Sequence, residues 1–383
     1  MHIFFLDLFT DIDAISPIIY KLNKNKNNQV VVCSTNYIQN NKNNDLIKQL
    51  EKEGVKYFNF PIKKFSLILF QTLLKILSLL PQIILKKLRF LFKFFYRNFA
   101  FFNREEIINF LKKNNAKTVS IDSSNPPVKL KIISEACSHL KIDLIFVPSG
   151  AEIINVKIFN TSKDLELCTY YLSQNKLEKF KIPERIMKSK IRFLGSPRYC
   201  DEWLSHLKKI YKKKFNKRNN KINLGLFVTP LGQNFSKHNS AIKDLTKDKM
   251  LNLKIRNKPR DYMLEKCCAY LKDELNTPEI INWADIIITV QSSVIIEAIK
   301  KNKIIFFLEY LIPNSYGKWL RQFKCVQIIK SKNELLKKIE EVKNNKYSFK
   351  LKNKKSYLKL VVGNDYKYNK VLDRYAKFYN NIC

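Results

Sequence analysis

Two successive α/β domains, each a parallel sheet with helices on both faces, are the architecture this chain predicts. Three observations predict it. Short apolar runs alternate with helix-patterned segments over most of the sequence, the alternation restarts after a basic run at 208–221, and the stretch from Trp283 to Phe307 reads as strand, polar turn, helix and strand. At 383 residues and 45% apolar content, the chain is long enough for two full hydrophobic cores.

Met1 to Phe9 reads as a first strand, because it has no basic n-region and meets Thr10-Asp11 too soon for a signal-peptide core. Asp11 and Asp13 then fall in the turn behind it, and Ser16-Pro17 signals a helix start. Val30–Cys33 is a strand, Asp45–Glu53 a helix and Val55–Phe60 a strand. Lys117–Asp122 follows as a strand, Pro127–Leu140 as a helix, and Asp143–Val147 as a strand closed by Pro148-Ser149-Gly150. Beyond the basic run come Ile222–Val228 and Met250–Ile255 as strands, then the βαβ unit, then Cys325–Ile329. Ser331-Lys-Asn-Glu334 is a capping box for a helix reaching about Asn344. Tyr368, Val371, Leu372, Tyr375 and Phe378 have the spacing of a terminal helix that packs on the body and crosses back to the first domain. The expected division is 1–207, a linker at 208–221, 222–363, and the terminal helix at 364–383. Both domains are Rossmann-like.

The formal charge of +38 invites a nucleic-acid reading, since neutralising phosphate dominates that kind of affinity. The type of base argues against it. Roughly 60 of the 71 basic residues are Lys, whereas Arg is preferred for bidentate phosphate and base recognition. Lys, Asn, Ile and Phe are inflated together, as an AT-rich coding sequence would produce, so no nucleic-acid partner is expected. Eight cysteines and four histidines are scattered with no zinc spacing, which predicts no metal site and a reducing cytoplasm.

Residues 62–102 depart from plain alternation. They are rich in Leu and Phe and studded with Lys and Arg, as in Lys86-Lys-Leu-Arg-Phe-Leu-Phe-Lys-Phe-Phe-Tyr-Arg97. Gln71, Lys75 and Pro81 argue against a spanning segment. Two readings stand: an interfacial helix on an anionic membrane surface, or a pair of buried helices whose Lys stems reach water.

In the βαβ unit, Ser292 and Ser293 fall where an open parallel sheet binds its ligands, at the carboxyl end of a strand and the start of a helix, with Glu297 one turn along. The bland alternative is a serine cap and an exposed helical glutamate.

Four stretches carry a resemblance. They are Leu194-Gly-Ser-Pro-Arg198 with Trp203, Arg256-Asn-Lys-Pro-Arg260, Ala284-Asp285 through Glu297, and Pro148-Ser-Gly150. With the two-domain order, the chain resembles GT-B-fold glycosyltransferases, and more narrowly is similar to bacterial surface or capsule polysaccharide biosynthesis proteins and, more distantly, to CDP-glycerol glycerophosphotransferases. The resemblance implies two domains facing each other across a cleft, the second taking a nucleotide-diphosphate sugar as substrate and the first the acceptor, with no separate cofactor. It implies that Ser292 and Ser293 hold the donor's phosphates, that Glu297 lies near the ribose or donor sugar, and that Arg260 adds charge. Lys258 and Thr229 would assist there, with Ser149, Gly150, Ser196 and Arg198 in the cleft. Lys258 and Ser149 replace histidines of the family pattern, which removes a proton shuttle. The favoured bases for an inverting transfer are Asp13 and Glu152, with Asp11 and Asp122 as further candidates; a retaining transfer stays open. The implied partner is a lipid-linked or polymeric glycan acceptor, and the implied place is the inner face of the plasma membrane. A polyol-phosphate transferase, a sugar-nucleotide epimerase, or a non-catalytic relative that binds a glycan are the competing readings.

Overall fold

A computed structural model of the chain describes residues 1–6, 9–25, 30–34, 44–60, 102–123, 125–147, 165–174, 190–211, 221–228, 235–257, 276–290, 292–311, 320–321, 323–348, 353–363 and 370–382. They form two Rossmann-like α/β units. The first runs to Arg198 and takes in the C-terminal residues; the second begins at Tyr199.

The first unit is built on seven parallel strands: β1 (His2–Leu6), β2 (Val30–Ser34), β3 (Lys56–Asn59), β4 (Thr118–Ile121), β5 (Asp143–Phe146), β6 (Tyr170–Ser173) and β7 (Ile191–Phe193). Their spatial order is β3-β2-β1-β4-β5-β6-β7. The order reverses between β1 and β4, where His2 pairs with Thr118 and Phe5 with Ile121. The central strands read as unbroken apolar runs because both of their faces are buried, as a doubly covered parallel sheet requires.

Helix α1 (Phe9–Lys24) begins well before the expected Ser16-Pro17 start, so Asp11 and Asp13 lie in a helix and not in a turn. Pro17 has no N–H for the carbonyl of Asp13, which weakens the helix locally. The helix persists because Ile12, Ile15, Ile18, Ile19 and Leu22 form one fully buried stripe at helical spacing. After α2 (Asp45–Lys52), helix α3 (Arg104–Lys113) opens on a reciprocal capping box. Asn103 Oδ1 accepts from Glu106 N at 2.9 Å, and Glu106 Oε2 accepts from Asn103 N at 2.7 Å. Helix α4 (Pro127–Leu140) starts at a proline and ends at Lys141, which adopts a left-handed φ of 55°. Of the 62–102 segment only Phe102 is described. Its ring packs edge-on against Phe60, with centroids 5.4 Å apart, in the core under α3 and α4.

The second unit opens with α5 (Asp201–Ile210), so the division between units falls ahead of this helix. It contains β8 (Ile222–Val228), α6 (Phe235–Lys247), β9 (Leu251–Asn257), α7 (Thr277–Trp283), β10 (Ile286–Thr289), α8 (Val294–Lys300), β11 (Ile304–Leu308), β12 (Gln327–Ile329), α9 (Lys332–Lys343) and α10 (Lys354–Val362). The sheet is parallel throughout, in the order β12-β11-β10-β8-β9. Helix α9 begins as the sequence predicts, with Ser331 Oγ accepting from Glu334 N at 3.1 Å. The box is not reciprocal, because Glu334 Oε2 takes the amide of Lys330 at 2.8 Å instead.

Helix α11 (Val371–Asn381) belongs to the first unit. Tyr379 Oη and Ser120 Oγ lie 2.7 Å apart in the core, Tyr375 Oη donates to Gly195 O at 2.9 Å, and Arg374 Nε donates to Leu194 O at 3.0 Å. Among the described residues, no helix is long and apolar enough to cross a membrane.

Candidate functional site

In the second unit the chain leaves β8 for β9 on one side and returns to β10 on the other. The carboxyl ends of β8 and β10 therefore flank the switch point where a ligand crevice opens in sheets of this kind. Strand β10 is wholly buried and ends at Thr289, whose hydroxyl donates to Val290 O at 3.1 Å. Ser292 and Ser293 follow, both partly exposed, and α8 begins.

The donors at this turn are fewer than the sequence implies. Ser292 Oγ accepts from Val294 N at 3.4 Å, Ser292 O from Ile295 N at 3.4 Å, and Ser293 O from Ile296 N at 3.1 Å. Ser293 has helical dihedrals (φ −67°, ψ −12°) and its side chain makes no capping bond. The helix thus tightens on itself, and the long 3.4 Å contacts are the weak ones that a better acceptor can displace. Tyr199 Oη also donates to Ser293 O at 3.4 Å.

Glu297 is no exposed helical residue. It is 7% exposed in a helix whose other residues from Val294 to Ile299 are buried and apolar. Its Oε1 receives Lys301 Nζ at 2.6 Å. A buried carboxylate is costly unless paired, and this contact supplies the pairing. The far end of α8 is tied down as well: Lys300 Nζ donates to Tyr199 O and to Asp201 Oδ1, each at 2.6 Å.

Asp285 stands at the opposite edge of the sheet. Its Oδ2 accepts from Asn223 N at 3.0 Å while its own N–H donates to Asn223 O at 2.8 Å, which locks the start of β10 to the start of β8. The Asp of this motif is a register clamp.

At the carboxyl edge of the first unit, Arg198 Nη2 lies 3.1 Å from Asp13 Oδ2, with the Asp13 side chain 41% exposed. Two sequence-predicted residues are thus brought together as an ion pair, which orients Asp13 and occupies one of its oxygens. Ser196 is fully buried, as are Asp11 and Asp122. Behind β4, Asn125 Nδ2 donates to Asp122 O at 3.0 Å, and the buried Lys129 donates to Asn125 Oδ1 at 3.0 Å. Sequence reasoning missed Lys129, Tyr199, Lys300 and Lys301. Only Lys301 left a readable signal, a Glu followed four residues later by Lys. Glu152, Ser149, Gly150, Thr229, Lys258 and Arg260 lie outside the described residues.

Among the described residues, no group of His, Cys, Asp and Glu is placed to hold a metal ion. The described cysteines are buried, and burial pushes the thiols of Cys137 and Cys200 up to about 12, so neither offers a nucleophile near neutral pH.

No family model matches the sequence, and no curated protein matches it. Solved structures do match along the whole chain. The S. aureus MnaA–UDP co-structure is 11% identical, covers 100% of this chain and 97% of its own, and has a TM-score of 0.62. The Methanocaldococcus jannaschii UDP-GlcNAc 2-epimerase in complex with UDP-GlcNAc and UDP is 15% identical, covers 100% of both chains, and has a TM-score of 0.60. A glycosyltransferase from Rickettsia africae ESF-5 is 15% identical, covers 100% and 98%, and has a TM-score of 0.52. At these identities the likeness is one of fold, and the fold is of the GT-B kind.

Proposed function

We propose that this chain binds a nucleotide-diphosphate sugar in its second unit and transfers the sugar to a growing surface glycan. One observation carries the reading: Ser292, Ser293 and Glu297 stand together behind the strand that borders the switch point. Two structures of the same fold were solved with UDP, one of them also with UDP-GlcNAc. The uridine nucleotides are therefore the first donors to test.

Breaking a sugar–phosphate bond builds negative charge on the leaving diphosphate, which fixed donors and cations can stabilise. In this reading the hydroxyls of Ser292 and Ser293, and the first-turn amides that make only 3.4 Å contacts, exchange those contacts for phosphate oxygens. Lys258, Arg260 and Thr229 add charge and a hydroxyl. Glu297 accepts from sugar or ribose hydroxyls through its remaining lone pairs. Asp13, oriented by Arg198, takes the proton of the acceptor hydroxyl, with Glu152 as the alternative base. The Lys-rich apolar segment 62–101 is read as the part that meets an anionic membrane carrying a lipid-linked acceptor.

Epimerisation of a sugar nucleotide is the second reading. It is favoured by the closer overlay on the epimerase, TM-score 0.60, than on the glycosyltransferase, 0.52. Titrating the protein with UDP, GDP, CDP and CMP and their sugars, then analysing the products by NMR, tests both. Transfer predicts free nucleotide that appears only when acceptor-bearing membranes are added. Epimerisation predicts a second sugar nucleotide with no acceptor present. If no nucleotide binds, both readings fall.

A further inference from the structure

Three consecutive residues of α11 reach both sides of the ion pair between Asp13 and Arg198. Asp373 meets Lys21 on α1, the helix that carries Asp13, at 2.7 Å. Arg374 Nε and Tyr375 Oη donate to the carbonyls of Leu194 and Gly195, at 3.0 Å and 2.9 Å, in the segment that leads to Arg198. That segment has little freedom of its own. Gly195 turns at φ 90°, a conformation that residues with a Cβ rarely adopt, Pro197 has its φ fixed by the ring, and Gly195, Ser196 and Pro197 are all buried. From Gly195 the chain reaches Arg198 within roughly 11 Å at most, so holding the two carbonyls holds the Arg198 backbone. An ion pair with 20% and 41% of its side chains exposed is weak when both partners must be immobilised to make it. Here α11 sets the backbone on both sides before the pair closes, which leaves only the two side chains to order.

We infer that Arg374 and Tyr375 are positioning residues: by fixing the Leu194–Arg198 segment they place the Arg198 guanidinium, and through it they set the orientation of the Asp13 carboxylate at the carboxyl edge of the first unit. Both act through Arg198 and touch no substrate. The consequence for turnover rests on the reading above in which Asp13 takes the acceptor's proton; the orientation itself does not.

Carbodiimide-driven amidation of the full chain, followed at each carboxylate by peptide mass spectrometry, tests the orientation. Arg198→Gln frees Asp13 and should speed its labelling about two- to fivefold, the factor a partly exposed ion pair is worth. Tyr375→Phe should speed Asp13 comparably while the fully buried Asp11 and Asp122 stay unlabelled, and it should add nothing in an Arg198→Gln background. Arg374→Met stands in if Tyr375→Phe does not fold, and Arg374→Lys should keep the slow rate. An unchanged rate at Asp13, a further rise in the Arg198→Gln background, or labelling that spreads to Asp11 and Asp122 overturns the inference. Turnover of UDP-GlcNAc with acceptor-bearing membranes tests the consequence. Tyr375→Phe should lower kcat about tenfold with the donor KM unchanged, as misplacing a reacting group does. An unchanged kcat where Asp13→Asn abolishes turnover also overturns the inference. If Asp13→Asn turns over as fast as the unaltered protein, or the unaltered protein does not turn over, the reading of Asp13 as the base falls, and labelling still decides the positioning.

Discussion

Gly225 sits in the middle of β8, where α7 crosses the sheet. A Cβ built there would lie 2.9 Å from Ile280 Cγ2, and 3.1 Å from both Ala284 Cβ and Ile287 Cδ1. Ile280 Cγ2 and Ala284 Cβ are held close to their own backbones, and Ile287 Cδ1, although the end of its side chain, belongs to a fully buried residue, so the glycine is what lets helix and strand approach. Gly225→Ala should therefore destabilise the second unit by about 1–3 kcal/mol through overpacking. Urea unfolding checks this: the midpoint should fall while the slope holds, and an unchanged midpoint would show that α7 shifts freely. The sequence discloses none of this, because a glycine in a strand pattern marks a close approach without saying to what. The placement of Ser292, Ser293 and Glu297 between β10 and α8 was readable because strand, turn and helix are contiguous there. The clamp role of Asp285 was not, since it depends on Asn223, a residue 62 positions away.

Among the elements, α11 shows how a distant segment becomes part of a core. Val371, Leu372, Tyr375 and Tyr379 are its buried face, and the rings of His2 and Phe4 lie 5.3 Å and 5.7 Å from that of Tyr379. Outside the core, Asp373 meets Lys21 of α1 at 2.7 Å. The helical spacing of the terminal segment was legible, and so was its docking on the first domain, because a one-sided apolar stripe must be buried somewhere. Its exact face was not: Phe378 is only partly buried and Tyr379 takes the interior place. Tyr379→Phe removes one hydroxyl of the buried 2.7 Å pair and leaves Ser120 Oγ without that partner, at a cost of about 1–3 kcal/mol. Adding Ser120→Ala should recover part of the loss, because both partners are then apolar. Hydrogen exchange of the β1 and β4 amides reads both effects. Unchanged protection in Tyr379→Phe would mean the hydroxyl pair contributes nothing.

At the scale of the whole chain, the alternation of strands and helices survived translation into structure wherever runs were long enough to show a period. Strands β6 and β7 were missed; they lie beyond β5 in the sheet, β6 between β5 and β7 and β7 at the edge, and only those pairings mark them as strands. Contacts such as Lys300 to Tyr199, 101 positions apart, are equally invisible to local pattern. What composition does expose directly is charge. Lys and Arg number 71 against 33 Asp and Glu, giving +38, so each folded unit gathers like charges that the unfolded chain would spread apart. Between about 10 mM and 100 mM salt the screening length falls from roughly 30 Å to 10 Å, which removes most repulsion between distant lysines while leaving close pairs such as Lys301–Glu297 largely intact. Thermal unfolding should therefore shift upward over that range by several degrees, at about 2–4 °C for each kcal/mol relieved in a domain of this size. Melting curves in rising sodium chloride, with sucrose as an uncharged control, measure it. A melting temperature that stays flat or falls would mean that local pairing already balances the excess and that the lysine surplus carries no stability cost.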